Sequence, residues 1–271
     1  IALKSFRFQA TDYKLENVTS NFTKNRIKNS MENNFLNLTE AEKDQPIYRV
    51  VTIERLFQLF DEKLNVLVNP KKWDDPFENF IMNSLIEFKS GISISIGFRE
   101  NVYGQCWTKT RESDAMWRIY SPEKNGVRIT TTPRKLLKAL TSCSDNPKNQ
   151  CYIGKVKYLT TIKLKEILEK DGSKLIFENS GIGLAKSLLF KRTPFKHENE
   201  IRLIFNSLGK FESEIMKFEI EPLDLIDDIV FDPRIEYSKY KEYKKRLRLM
   251  NFEKRIVKSN LYQIPNLKIS V

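Results

Sequence analysis

The spacing of hydrophobic residues divides the chain into short strands and helices. Apolar residues at every second position predict strands, and apolar residues three or four apart predict helices. The predicted strands are residues 1–8, 47–51, 65–68, 103–108, 127–131, 151–158, 198–205, 215–220, 229–231 and 255–258. The predicted helices are residues 53–60, 76–88, 114–120, 133–140, 162–169, 182–190 and 236–250. Because the two kinds of element alternate without a regular period or repeat, we expect an α+β fold.

Several predicted helices begin at a residue that can cap them. Thr52, Ser113 and Thr132 each precede an apolar pattern of helical spacing, and Asp75 precedes Pro76. A side-chain oxygen at this position accepts a hydrogen bond from a free backbone N–H of the first turn. These residues therefore fix where we expect the helices to begin.

A polar, Asn-rich segment precedes the main pattern. Of the 271 residues, Asn17 to Leu38 are polar, Asn-rich and weakly amphipathic, and Pro46 marks the boundary that follows. We expect residues 1–45 to form an appendage or interaction arm. Residues 46–271 form the predicted domain.

Composition excludes several classes of site. Only 9 glycines are present, with no glycine-rich nucleotide loop, and no apolar run approaches the roughly 18 residues of a membrane span. His197 is the single histidine, which argues against Cys/His zinc sites and Ser-His-Asp triads. The three cysteines form no CxxC pair, which indicates a reducing, cytoplasmic compartment.

The formal net charge of +12 is concentrated in the predicted domain. Between Arg234 and Lys258, ten basic residues accompany three acidic ones, with tyrosines interleaved. A basic surface that carries aromatic residues suits a polyanion, whereas the alternative is a solvated lysine-rich helix. The candidate nucleic-acid contacts are Lys241, Lys244, Lys245 and Arg248.

Two carboxylates stand at the start of one predicted strand. Glu198 and Glu200 are separated by one residue, so a strand beginning near Glu198 would place both on one face. Adjacent carboxylates repel each other and need a cation or a substrate nearby. The simpler alternative is an exposed acidic edge, or a salt bridge to Arg202 or Lys196.

Five short motifs, in this order, resemble a large bacterial family of uncharacterised domains. The resemblance covers roughly residues 46–262. The motifs are Trp73-Asp-Asp-Pro-Phe-Glu78, Gly104-Gln-Cys-Trp-Thr108, Ala115-Met-Trp-Arg-Ile-Tyr-Ser121, Gly126-Val-Arg-Ile129 and His197-Glu-Asn-Glu-Ile-Arg202.

That layout in turn resembles the ADP-ribosyltransferase superfamily, of the toxin or phage-defence type. The superfamily carries an Arg or His on its first strand, a Ser or Thr on a central strand, and a Glu on a later strand. These positions correspond to Arg49, Thr108 and Glu200. The resemblance implies a split, mixed or antiparallel β core with surrounding helices, and NAD⁺ as co-substrate without a metal.

The resemblance also implies a role for each candidate residue. Glu200 would stabilise the positive charge that develops on ribose when the nicotinamide bond breaks, and Glu198 would orient or deprotonate the acceptor. Arg49 would bind the diphosphate or a ribose, and Thr108 would support the glutamate by a hydrogen bond. The remaining candidates for binding NAD⁺ are Tyr48, Trp107, Trp117 and Tyr120.

The sequence therefore leaves three functions open. The leading hypothesis is an ADP-ribosyltransferase that modifies nucleic acid, with RNA favoured over DNA, as a toxin or anti-phage effector. The alternative is a Mg²⁺-dependent nuclease in which Asp74, Asp75, Glu198 and Glu200 bind the metal. The third is a non-catalytic module that binds nucleic acid or a partner protein, with the N-terminal segment as an interaction arm. The resemblance to toxins also implies an antitoxin or chaperone as a partner of residues 1–45.

Overall fold

The computed structural model describes residues 32–73, 85–87, 93–95, 102–177, 181–208 and 213–265. The predicted strand at 1–8 and the residues Asp74, Asp75 and Glu78 lie outside these ranges. So does the predicted beginning of the helix at Pro76.

Apart from four short strands that the pattern did not predict, at residues 35–36, 85–87, 93–95 and 190–192, the described strands correspond to the predicted strands within these ranges. They are β1 (Phe35–Leu36), β2 (Ile47–Thr52), β3 (Leu64–Val68), β4 (Leu85–Glu87), β5 (Ser93–Ser95), β6 (Val102–Thr108), β7 (Gly126–Thr131), β8 (Cys151–Lys155), β9 (Lys157–Leu159), β10 (Phe190–Arg192), β11 (Glu200–Asn206), β12 (Ile215–Glu219), β13 (Asp228–Phe231) and β14 (Arg255–Lys258).

The described helices lie between these strands. They are α1 (Glu40–Lys43), α2 (Ile53–Glu62), α3 (Asp114–Tyr120), α4 (Pro133–Thr141), α5 (Pro147–Gln150), α6 (Thr161–Phe177), α7 (Ile182–Ser187), α8 (Pro222–Leu225) and α9 (Tyr237–Leu249). Short 3₁₀ helices cover Glu32–Asn34, Pro70–Lys72 and Thr193–Glu198. None of the helices in the described ranges has the length and apolar character needed to span a bilayer.

Three predicted helix starts are confirmed by their capping hydrogen bonds. The side chain of Thr52 accepts from the Arg55 N–H, that of Ser113 from Met116, and that of Thr132 from Lys135. Each bond satisfies one of the backbone donors that the first turn leaves free. The residue types alone thus determined where α2, α3 and α4 begin.

The main sheet is mixed and runs in the order β1-β8-β11-β6-β2-β7-β13-β14, with β12 and β3 attached off this path. The β1–β8 and β13–β14 pairs are parallel, and the other pairs in this sheet are antiparallel. This architecture, with helices packed around a mixed sheet, confirms the predicted α+β class.

The strand β6 is shared by two diverging neighbours. On the same side, its residue Thr108 pairs with Tyr48 of β2, whereas Gly104 pairs with Val68 of β3. The three residues between these pairs, Gln105 to Trp107, have no cross-strand partner on that side among the described strands. The sheet is therefore split at this point.

Each face of the sheet carries its own hydrophobic layer. Along β11, Ile201, Leu203 and Phe205 join the larger core with α2, α4 and α9, while Ile204 joins a smaller core with α7. This is the alternation expected when both faces of a strand are covered. The whole of β11 is buried.

Residues 32–45 pack against the sheet. Strand β1 pairs with the edge strand β8, and the buried Asn34 side chain donates to the carbonyls of Pro147, Lys148 and Cys151. Glu42 of α1 forms ion pairs with Lys109 and Lys155. Residues 32–45 are therefore in contact with strands and side chains of the predicted domain.

Several predicted bounds are wrong for identifiable reasons. The predicted strand 151–158 is two strands, because the chain leaves β8 at Val156 and β9 then pairs with β10. The predicted helix 182–190 ends at Ser187, since Phe190 begins β10. The predicted helix 76–88 cannot include Leu85–Glu87, which pair with β5. In each case tertiary pairing overrides the local pattern.

Candidate active site

A cavity of about 600 Å³ opens where the sheet splits. Its walls come from residues 48–50 of β2, residues 104–108 of β6, the exposed side of α3, and the two glutamates before and at the start of β11. Trp73 closes one side and packs over Gly104, where a Cβ atom would lie 2.6 Å from the indole ring. The cavity is of ordinary size for a ligand-binding site.

The predicted residues of three strands form one row across the sheet. Tyr48 pairs with Thr108, and Thr108 pairs with Glu200 on its other side. Directly opposed residues of antiparallel strands project from the same face. The register therefore brings Tyr48, Thr108 and Glu200 together, and all three contribute to the cavity lining.

The two glutamates reach the cavity by a different route from the one predicted. Strand β11 begins at Glu200, whereas Glu198 is the last residue of the 3₁₀ helix Thr193–Glu198. Between them, Asn199 adopts a left-handed conformation with φ of 46°. The expectation of one strand carrying both residues is wrong, and the turn at Asn199 makes the carboxylates converge instead.

Both glutamates bind the same lysine. Lys191 of β10 donates to Glu198, and to Glu200 Oε1 at 2.6 Å. Arg202 donates to the other oxygen of Glu200 at 2.6 Å and to the Leu188 carbonyl, and its guanidinium lies over the Trp73 ring. The prediction of a salt bridge to Arg202 is thus confirmed, but the lysine is Lys191, since Lys196 is exposed.

The two carboxyls have opposite shifts in pKa. Burial and the hydrogen bond with Glu200 raise the pKa of Glu198 to about 8. Burial also opposes ionisation of Glu200, but the charge of Arg202 and the hydrogen bonds from Glu198 and Arg202 outweigh it and lower that pKa. Of the two, Glu198 is therefore the carboxyl that binds a proton first as the pH falls.

The small sheet of β9 and β10 supports this pair. Lys191 is the cross-strand partner of Tyr158, whose hydroxyl accepts a hydrogen bond from the Glu200 N–H at 2.8 Å. Burial raises the pKa of Tyr158, so it stays a neutral phenol. Two neighbouring residues of one sheet thus hold the backbone and the side chain of Glu200.

Arg49 lines the cavity without a partner of its own. Within the described part of the chain, its half-buried guanidinium forms no hydrogen bond or ion pair. Burial lowers the pKa of Arg49, although an arginine stays charged. A desolvated cation in this position favours binding of an anionic ligand.

Thr108 contacts the backbone around the glutamates. Its hydroxyl donates to the Glu198 carbonyl at 2.6 Å and accepts from the Thr110 N–H at 2.9 Å. The predicted support for the glutamate therefore goes through the main chain of Glu198. No hydrogen bond between the Thr108 hydroxyl and the Glu200 carboxylate is present in the structure.

The predicted aromatic residues are divided between the cavity and the core. Tyr120 is half exposed on the cavity wall, and burial of its hydroxyl followed by the charges of Glu198 and Glu200 raises its pKa to about 12. Trp107 forms part of the lining but packs in the core and donates to Gln105. Trp117 is buried, bonds to Glu112 and is not brought to the cavity.

A comparison with protein families gives a match to part of this site. Residues 116–203 match the family described as "Protein of unknown function (DUF2971)". This confirms the resemblance to uncharacterised domains over that range. The DUF2971 range contains Lys191, Glu198, Glu200 and Arg202, whereas Arg49 lies outside it.

Comparison with solved structures finds DarT from Thermus sp. 2.9, determined in complex with NAD⁺ and with ADP-ribosylated ssDNA. The NAD⁺ complex is 12% identical, with a TM-score of 0.38, and the alignment covers 80% of this chain and 96% of that one. The ssDNA complex is 11% identical with the same TM-score, covering 80% and 94%. A TM-score below 0.5 does not establish a common fold. No curated protein matches the sequence.

The predicted nucleic-acid helix lies away from the cavity. Tyr240 and Tyr243 of α9 pack against Phe231. Phe231, Val127 and Val51 are cross-strand partners, and Val51 is three residues from Tyr48 along β2. Because neighbouring positions on a strand alternate in direction, α9 covers the sheet face opposite to Tyr48, Thr108 and Glu200.

The four basic candidates on α9 are not equivalent. Lys241 and Lys245 are exposed, with Lys241 over the Tyr237 ring. Lys244 contacts the Tyr240 hydroxyl at 3.4 Å, and Arg248 donates to the carbonyls of Phe252 and Lys254 just beyond the helix end. Arg248 is therefore committed to a structural role.

The alternative metal site has little support in the described ranges. There, no group of three or more Asp, Glu, His or Cys side chains is placed to hold a metal ion. Both oxygens of Glu200 and one of Glu198 already accept from Lys191 or Arg202. The other two carboxylates of this alternative, Asp74 and Asp75, lie outside the described ranges.

Sequence reasoning missed several residues of the site. Lys191 and Tyr158 come from the β9–β10 pair, and Cys106, Met116 and Ile119 line the cavity. The sequence shows several basic residues between Lys191 and His197. No spacing indicated that one of these lysines turns inward, because that depends on the pairing of two three-residue strands.

Proposed function

We propose that this chain is an ADP-ribosyltransferase that binds NAD⁺ in the cavity at the split of the sheet and modifies nucleic acid. One observation carries the proposal: the same cavity is lined by an arginine that has no ion pair with any described residue and by an anchored pair of glutamates. The first suits an anionic donor, and the second suits a reaction in which positive charge develops.

The residues present fit NAD⁺. The volume of about 600 Å³ lies within the roughly 300–1,000 Å³ typical of ligand cavities. Arg49 would hold the diphosphate, and the half-exposed Tyr120 offers an aromatic surface at the cavity mouth. NAD⁺ supplies a ribose C1′–nicotinamide bond that breaks with its electron pair on nicotinamide, while the acceptor bonds to C1′ and gives up a proton.

The two glutamates do different work in this proposal. Glu200 is ionised and held by two cations, so its carboxylate is fixed in place to accept a ribose hydroxyl hydrogen bond and stabilise positive charge nearby. Glu198 has a pKa near neutrality, which suits proton transfer with the acceptor. Thr108 fixes the main chain that carries Glu198.

The acceptor is assigned from charge. A net charge of +12 attracts a polyanion, and we favour RNA over DNA. A role as a cytoplasmic toxin or anti-phage effector rests on the resemblance to that class of transferase. Cys106, Cys143 and Cys151 form no disulfide within the described ranges, which is compatible with a reducing compartment.

The test uses NAD⁺ labelled in its ADP-ribose portion. The protein is incubated with RNA, single-stranded DNA or protein extract, each with and without EDTA. We expect label on a nucleic acid and no effect of EDTA. Cleavage of nucleic acid that needs no NAD⁺ and stops with EDTA would establish the nuclease instead, and label only on protein would refute the proposed acceptor.

A further inference from the structure

Lys191 is the least expected member of the site. Its side chain is 6% exposed and contacts a carboxylate oxygen of both Glu198 and Glu200. It stands on β10, which belongs to the small β9–β10 sheet rather than to the main one. A lysine is rarely buried unless it is paired, and among the described residues this one pairs with two carboxyls.

The contacts of the two glutamates are unequal. Glu200 has a cation on each oxygen, Lys191 on one and Arg202 on the other. Lys191 is the cation that the described part of the chain places in contact with Glu198. Without Lys191, Glu200 would keep its ion pair with Arg202. Glu198 would lie beside the negative charge of Glu200, and no other cation of the described residues contacts it.

We propose that Lys191 is a positioning residue, whose ammonium group contacts both glutamate carboxyls and thereby favours release of the Glu198 proton. This inference rests on the proposed function only in giving that proton a use in transfer. The contact of Lys191 with both glutamates is a property of the chain without substrate.

The other groups around Glu198 cannot replace Lys191. Tyr120 of α3 and Tyr158 of β9 face the carboxyl pair, and the pKa of each is raised, so both are uncharged in the neutral range. Arg202 of β11 forms its ion pair with Glu200. His197, the residue before Glu198, is exposed and its ring contacts the Pro194 carbonyl.

The sign of the effect follows from this arrangement. A cation in contact with a carboxyl favours the ionised form, so its removal raises the carboxyl pKa. In Lys191→Met we expect the acid limb of the plot of transfer rate against pH to shift to higher pH by at least about one unit. Lys191→Arg keeps the charge and should restore most of the parent profile. A purely structural lysine would lower the rate equally at every pH.

The decisive measurement is carboxyl ¹³C NMR on glutamate-labelled protein without NAD⁺, with Glu198 assigned from the spectrum of Glu198→Gln. We expect the Glu198 midpoint to rise in Lys191→Met and to change little in Lys196→Met, a matched control on an exposed lysine. An unchanged midpoint in Lys191→Met would overturn the inference. A raised midpoint in a protein that never consumes NAD⁺ would leave it standing and refute the proposed function alone.

A second pair of variants covers loss of folding. Lys191→Met combined with Glu200→Gln removes one charge of each sign and relieves the unpaired carboxylate. The Glu198 midpoint should still be higher in this double variant than in Glu200→Gln alone. Equal midpoints in the two proteins would contradict the role given to Lys191.

Discussion

Arg49 is the residue whose role is simplest to separate from stability. Its guanidinium has no hydrogen bond or ion pair among the described residues, so Arg49→Met should leave the free energy of unfolding unchanged or higher. We expect NAD⁺ affinity, measured by calorimetry, to fall at least about tenfold, the value of one charged contact. Arg55→Met, on the exposed side of α2, is the control. Parent-like affinity in Arg49→Met would remove Arg49 from the site.

Glu198 makes stability depend on pH. Its pKa is raised from 4.5 to about 8 on folding, so its contribution is complete below pH 4.5 and is lost as pH rises through 8. Glu198→Gln should remove this loss, and become more stable than the parent by on the order of 1–3 kcal/mol at pH 9. Urea unfolding at pH 5, 7 and 9 measures the difference, with the exposed Glu123→Gln as control. Parallel curves for parent and Glu198→Gln would contradict the protonated Glu198.

At the scale of elements, the turn at Asn199 determines how the glutamates converge. Asn199 has φ of 46°, a conformation that glycine adopts freely and a β-branched residue does not. Asn199→Gly should therefore keep stability and activity, whereas Asn199→Val should lose about 1–2 kcal/mol and most of the activity.

Asn251 provides a matched control for that substitution. It also has a positive φ, 64°, but follows α9 away from the cavity. Asn251→Val should cost similar stability in chemical unfolding and leave the turnover of folded protein unchanged. If both valine variants lose activity equally, the turn at Asn199 has no special relation to the site.

The elements also show how far the sequence could predict this structure. Helix starts followed from local chemistry, because the hydroxyls of Thr52, Ser113 and Thr132 need only partners three residues away. The convergence of Glu198 and Glu200 did not, since it depends on the turn at Asn199 and on β10. Strands as short as β9 and β10 contain too few residues to show an alternating pattern. The sequence therefore did not predict that Lys191 belongs to the site.

At the scale of the whole molecule, the sheet separates the cavity from the basic helix α9. Reversing the exposed Lys241 and Lys245 to Glu should weaken nucleic-acid binding and lower its salt dependence by about two charges, without changing NAD⁺ hydrolysis. Binding measured over a range of salt concentrations gives the slope.

The same reversal at Lys165 and Lys170, exposed on α6, is the control for net charge. If both pairs lower the slope equally, binding depends on total charge and α9 has no particular role. If neither changes it, α9 is a solvated helix.

The most direct test of the central claim is nicotinamide release from NAD⁺, measured for the parent, Glu200→Gln and Glu198→Gln with and without nucleic acid. We predict that Glu200→Gln loses release under both conditions by at least about 100-fold, the value of a single electrostatic contact in a transition state. Glu198→Gln should keep release without acceptor and lose transfer to it. Parent-like release and transfer in both variants would show that these buried glutamates only stabilise the fold.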